Sequence, residues 1–242
     1  MARRTRCVLP RILASVLGAA ALGGCANGPA PPAPDRASAW GYVRLAPHEG
    51  LAAPAAGAAS YGDRRLADVA LVDYSRPGFA VVYVADAAPA PPGAPARLAI
   101  RDEALGPRLA PGHAALAAGG KLEIRNESAS ARLVSCPAAG VVRRLEPGDA
   151  LAIPLPSAGE WPVYLLDAPG EPARVFAAPG PFTVASAAGR FVLADLPPGR
   201  HQLVAWHPRF PPASAVVELA AGRTQRVDLE LRVGAPAPEA AE

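Results

Sequence analysis

Apolar residues along this chain come in short runs, with Gly, Pro, Asn and Asp standing between them. "KLEIRN" (121–126) is the plainest case. Leu122 and Ile124 share one side while Glu123 and Arg125 take the other, the period of two that marks a half-buried strand. "GYVRLA" (41–46) alternates in the same way, Val43 and Leu45 against Tyr42 and Arg44. "ADVALVDY" (67–74) and "GFAVVYVAD" (78–86) are richer in β-branched residues. "ARLAIRD" (96–102), "SARLVSC" (130–136), "VVRRLEPGDALAIPL" (141–155), "EWPVYLLDAP" (160–169) and "ARVFAA" (173–178) continue the series. Within them "EPGDA" (146–150) is a turn, because Pro147 presets φ and Gly148 tolerates positive φ. Only the Ala-rich "PGHAALAAGG" (111–120) predicts a short helix. "GLAAPAAGAASYGDRRLA" (50–67), broken by Pro54, is expected to be loop. Strands at intervals of roughly 8–12 residues with Gly/Pro turns define an all-β chain, a sandwich or barrel.

The two ends read differently. Arg3, Arg4, Arg6 and Arg11 precede an apolar run from Ile12 to Leu22, which fits a secretory signal helix and is too short to span a bilayer. Leu22-Gly23-Gly24-Cys25 resembles the lipobox of bacterial lipoproteins, which implies acylation of Cys25 and a membrane partner reached through that lipid. Ala26 in the next position resembles the outer-membrane sorting class, which places the expected site at the outer membrane, facing the periplasm. "ANGPAPPAPDRASA" (26–39) holds four prolines and no apolar period, as a spacer would. The tail 234–242, "GAPAPEAAE", is similar and is expected to be disordered.

These ends change the charge and cysteine counts. The formal net charge of +3 becomes −1 once the four signal arginines leave, so the basic pI gives no ground for a nucleic-acid partner. Of three cysteines, Cys7 departs with the signal and Cys25 carries the lipid. Cys136 alone remains, leaving no intramolecular disulfide, either as a small buried hydrophobe or as a reactive thiol.

"TVASAAGRFVLADLPPGRHQLVAWHPRF" (183–210) closely resembles the carboxypeptidase regulatory-like repeat, a transthyretin-like sandwich. Gly189-Arg190-Phe191, Leu196-Pro197-Pro198-Gly199-Arg200, Leu203 and Trp206 sit in that family's register. Pro198-Gly199 predicts a hairpin, with Phe191 and Leu193 on one face and Leu203 joined across it. Val216, Leu219, Val227, Leu229 and Leu231 are inward candidates on the strands that follow. With the signal peptide and "FAVVYVADA", the whole is similar to periplasmic proteins described as methylamine-utilisation or plastocyanin-like. The resemblance implies a cupredoxin middle domain. It divides the chain into a signal peptide (1–24), a Pro/Ala linker (25–39), a cupredoxin-like sandwich (40–178), a carboxypeptidase-regulatory-like sandwich (179–233) and the tail (234–242). The C-terminal repeat supplies too few strands to close alone, so "GYVRLA" or "FAVVYVADA" is expected to complete it.

A cupredoxin of that family holds copper through a His after an Asn-bearing strand end and a later Cys, His and Met, a soft sulfur and imidazole set. The resemblance places the first His on Ala131, or on Arg132 with a one-residue shift, and the other three on Tyr164, Asp167 and Gly170. No Cys, His or Met occurs in 137–200, so a slip in alignment cannot restore the set. The expectation is a cupredoxin frame whose copper chemistry is lost, with no cofactor.

His207 in Trp206-His207-Pro208 reads as a strand-end ring bonded to a backbone carbonyl, and His201 as exposed; the alternative is a metal site joining them with Asp195 or His113. His48 and His113 lie in loops without a partner at metal spacing. Gly-x-Ser-x-Gly, His-Glu-x-x-His, a phosphate-binding Gly-x-x-x-x-Gly-Lys and a Rossmann fingerprint are all absent. The sequence therefore points away from an enzyme and toward a lipid-anchored envelope protein that binds or supports a partner, an envelope protein or a glycan. The glycan rests on fold analogy alone. The competing expectation is an electron-transfer or metal-binding role built on non-standard histidine ligands.

Overall fold

The structure is a computed structural model that describes residues 29–47, 74–168 and 170–233. The signal peptide, Cys25, His48 and the 50–67 stretch lie outside them, as do most of "ADVALVDY" and the tail. Seventeen strands supply nearly all of the regular secondary structure among the described residues. The first two are β1 (Ala37–Ala46) and β2 (Val81–Val84). A continuous series follows: β3 (Ala96–Glu103), β4 (Gly106–Ala110), β5 (His113–Ala117), β6 (Lys121–Asn126), β7 (Arg132–Cys136), β8 (Val141–Leu145), β9 (Ala150–Pro154), β10 (Gly159–Leu165) and β11 (Ala173–Ala178). The last six are β12 (Phe182–Val184), β13 (Arg190–Leu196), β14 (Gly199–His207), β15 (Phe210–Leu219), β16 (Thr224–Arg226) and β17 (Leu229–Arg232). Among the described residues no helix is long and apolar enough to cross a membrane.

The strands sort into two sandwiches. The middle one packs the sheet β5-β11-β10-β7-β8 on the sheet β4-β3-β6-β9. Its core holds Leu98, Ile100, Leu122, Ile124, Ile153, Leu155, Val163, Val175 and Trp161, drawn from alternate positions of each strand. The outer sandwich packs β13-β1-β16, with β17 further along β1, on β12-β2-β14-β15. Its core is Val43, Leu45, Val82, Val84, Phe191, Leu193, Leu203, Leu219, Leu229 and Leu231.

Both "GYVRLA" and "FAVVYVADA" belong to the outer sandwich. β1 runs antiparallel to β13, with Gly41 opposite Phe191, and β2 runs antiparallel to β14, with Val82 opposite Ala205. The 40–178 unit is thereby corrected to the strands from Ala96 to Ala178, because β1 and β2 bury their apolar sides against 182–232. The 25–39 linker is shortened as well. Ala37, Ser38 and Ala39 are fully buried in β1, and Gly222 N–H holds the Arg36 carbonyl at 2.7 Å.

Four local expectations change. Residues 113–117 form strand β5 in place of a helix, since parallel pairing with β11 buries Leu116 and Ala117. Pro198-Gly199 is no hairpin: β13 and β14 lie in opposite sheets, so Phe191 and Leu203 meet through the core, face to face. Val216 is 56% exposed, because Leu219 points inward and strand parity sends Val216 the other way. His201 is buried. Gly189 in Gly-Arg-Phe has φ +83 and its Cα faces the Val43 carbonyl, where a Cβ would sit 2.2 Å from the oxygen. Only glycine suits that turn.

Candidate functional site

One end of the middle sandwich gathers the positions singled out by the resemblance. β6 ends at Asn126, whose side chain is fully buried. Its Nδ2 donates to the carbonyls of Ser130 and Leu145 (both 2.9 Å), and its Oδ1 accepts from Ser128 N–H (3.0 Å) and Ser128 Oγ (2.7 Å). Asn126 thus folds the 127–131 loop around itself and delivers Arg132 to the start of β7. Ala131, half-buried, offers only a methyl group.

Arg132 is the centre of this end. Its Nε donates to Ser128 Oγ (3.2 Å), its Nη2 to Asp102 Oδ1 (3.0 Å), and its Nη1 lies 3.9 Å from Asp167 Oδ2. Asp102, near the end of β3, uses its second oxygen to accept from Ala129 N–H (2.9 Å). The guanidinium is only 17% exposed and sits between two carboxylates on two different elements. Asp167 lies in the turn after β10, which also carries Tyr164 at the strand end and Gly170 beyond. The resemblance puts two ligand positions at Ala131, or Arg132 with a one-residue shift, and at Asp167. The opposite charges of Arg132 and Asp167 were the sequence signal that the two could face each other. Asp102 had no signal at all.

Beside this network is a cavity of about 420 Å³, lined by Arg108, His113, Tyr164, Gly170 and Glu171 with Pro107 and Leu109. Its charged walls are already paired, Arg108 with Glu103 (3.8 Å) and Glu171 with Arg209 (3.4 Å). The His113 ring borders the cavity and stacks on Phe79, with centroids 5.2 Å apart. Burial lowers its pKa from the ordinary 6.5, helped by Arg174 and Arg209 and opposed by Glu171 and Glu160.

Phe79 belongs to the outer sandwich, so that stack is part of a seam between the two bodies. Trp206 stacks on Phe176 at 4.5 Å, Phe176 tilts against Tyr83 at 5.5 Å, and Phe79 meets Trp206 edge-on. Val81, Phe176 and Ala178 are buried there. β2 and β11 are therefore covered on both sides: Val82 and Val84 face one core, Val81 and Tyr83 the seam, while Val175 and Ala177 face the other core. Burial of both faces explains why "FAVVYV" and "ARVFAA" are apolar without alternation. That was the sequence signal for the seam.

The histidines do not converge. His201 Nε2 bonds the Pro197 carbonyl (2.8 Å), with Nδ1 3.7 Å from Asp86. His207 Nε2 bonds the Pro77 carbonyl (3.0 Å), and its Nδ1 accepts from Arg209 N–H (3.0 Å). Asp195 is an exposed bulge residue at φ 57. Among the described residues no group of three His, Cys, Asp or Glu side chains is placed to hold a metal ion, so the histidine cluster does not form. Cys136 is fully buried, and burial raises its thiol pKa, as expected for a small core hydrophobe.

The described chain is thus an all-β protein of two sandwiches with a polar, ion-paired end on the middle one. Among solved structures it is similar to "Novel Purple Cupredoxin from Nitrosopumilus maritimus", with 16% identity and a TM-score of 0.30, over 34% of this chain and 99% of that one. No protein-family model matches the chain, and no curated protein matches it.

Proposed function

We propose that this protein is a lipid-anchored, non-catalytic component of the cell envelope in which a cupredoxin-like frame has exchanged its metal for an internal ion pair. The observation that carries the reading is Arg132 between Asp102 and Asp167. The resemblance puts two imidazoles at Ala131 (Arg132 with a one-residue shift) and Asp167, and thiolate and thioether at Tyr164 and Gly170. A fixed, mostly buried guanidinium repels a second cation at close range, and it already engages both carboxylates. The remaining chemistry supports a binding role over catalysis. His207 has both ring nitrogens engaged by backbone, and Cys136 is sealed in the core.

Copper titration of the delipidated chain tests the first part. The expected result is no stoichiometric uptake and no intense visible band. Tight one-to-one copper with such a band would overturn it. Metabolic labelling with a radioactive fatty acid tests the anchor: label is expected on the natural chain and none on Cys25→Ser, and an unlabelled natural chain would refute it. The partner is an envelope protein or a glycan, to be sought by cross-linking on intact cells.

A further inference from the structure

We propose that the seam between the two sandwiches is an acid-sensitive latch, closed while the His207 imidazole is neutral and released when it gains a proton. The geometry fixes the tautomer. Nε2–H donates to the Pro77 carbonyl and bare Nδ1 accepts from Arg209 N–H, each at 3.0 Å. A proton on Nδ1 would face that N–H, donor against donor, inside a buried site.

Both contacts of this ring lead across the seam. Arg209 lies in the tight turn between β14 and β15, and its guanidinium reaches Glu171 of the middle sandwich at 3.4 Å. The residue before His207 is Trp206, stacked on Phe176 of the same sandwich. On the other side, Pro77 is two residues from Phe79, on which the middle sandwich lays His113. A protonated His207 therefore disturbs at once the turn at Arg209 and the 77–79 segment that carry the seam's contacts.

The surroundings oppose that proton. His207 has the edge of Phe210 at 5.1 Å, and Arg209 and His113 add unfavourable positive charge. Around His113 stand Arg174 and Arg209, with Glu171 and Glu160 as the acidic groups. Glu160 is itself ion-paired with Arg174, and Glu171, 83% exposed, with Arg209. Neither carboxylate is free to accept a new positive charge without giving up its arginine. Burial, the first cause, holds both imidazoles below the ordinary histidine pKa, while the Pro77 carbonyl alone pulls His207 the other way.

Hydrogen exchange on the full-length chain, from about pH 7.5 down to about pH 5 and corrected for intrinsic rates, tests the latch. The expected result is selective. Peptides covering 77–83 and 205–212 lose protection by up to about tenfold per pH unit below about pH 6.5, where the opened seam takes up the proton and the closed one resists it, while β6 and β13 keep theirs. In His207→Asn, Oδ1 replaces Nδ1 as an acceptor that does not titrate, so the pH dependence of seam protection shrinks to the part His113 contributes. Three results would each overturn the proposal: unchanged seam protection in the natural chain, loss that coincides with loss in β6 and β13, or the same midpoint in His207→Asn. The first two need no variant, so the test survives a variant that fails to fold.

Discussion

The middle sandwich is made by one uninterrupted stretch from Ala96 to Ala178, whereas the outer one sets Ala39 beside Leu193 and Val82 beside Ala205. The two also differ in their polar interiors. The outer sandwich buries its two histidines one by one against backbone carbonyls, while the middle one closes its end with a side-chain network around Asn126 and Arg132. The difference teaches that a sandwich assembled from distant strands rests mainly on hydrophobic mass, while one made from a single stretch can close its end with a directional polar network.

Breaking that contrast starts with the largest effect. Phe191→Ala removes a ring from the outer core and is expected to cost about 3–5 kcal/mol in urea unfolding. Exchange should rise in β13 and β14 and stay low in β6; a uniform rise would show that the two bodies unfold as one. Asn126→Ala leaves the Leu145 carbonyl and Ser128 N–H without their side-chain partner, and about 2–3 kcal/mol is expected, confined to the middle sandwich. An isosteric Asn126→Asp change should cost a comparable amount, because it loses both donors.

The acid response follows from the lowered pKa values of His113 and His207. A histidine whose folded pKa lies below its unfolded value binds protons more readily when unfolded. Its contribution is thus fully present above about pH 6.5 and is lost as pH falls through the folded pKa. The urea midpoint should decline below that pH, and less so in a His113→Phe, His207→Asn double variant. The smallest effect belongs to the ion pair. Since Asp102 is 46% exposed, solvent screening limits the Arg132–Asp102 coupling to about 0.5–1 kcal/mol in a double-mutant cycle. A coupling near zero would make Arg132 a filler of space instead of a substitute cation.

Alternation made much of the fold legible. Val43, Leu45, Leu122 and Ile124 point inward as their spacing requires, and the Gly-Arg-Phe and Leu-Pro-Pro-Gly segments sit at turns. What failed was pairing, which is not a local property. A Pro-Gly turn between two strands looks the same whether the second strand returns beside the first or crosses to the facing sheet. Residues 113–117 misled for a related reason: an alanine run has helical propensity, and only the parallel neighbour β11 draws it into a sheet. At the site, Tyr164, Asp167 and Gly170 stood out only through a resemblance, not through alternation or spacing. The role of Arg132 required Asp102, a residue thirty positions away that periodicity does not connect to it.

The join between the two bodies has one more consequence. The chain leaves the outer sandwich at Val84 and re-enters at Phe182 on the adjoining strand, with Val84 N–H on the Pro181 carbonyl at 3.0 Å. Gly180 presses so close that a Cβ there would lie 2.3 Å from the Val84 oxygen. Exit and entrance are one doorway. A short splice at that threshold would take out the inserted module and leave the outer sandwich all its own strands, with Val81 and Trp206 uncovered where Phe176 had been.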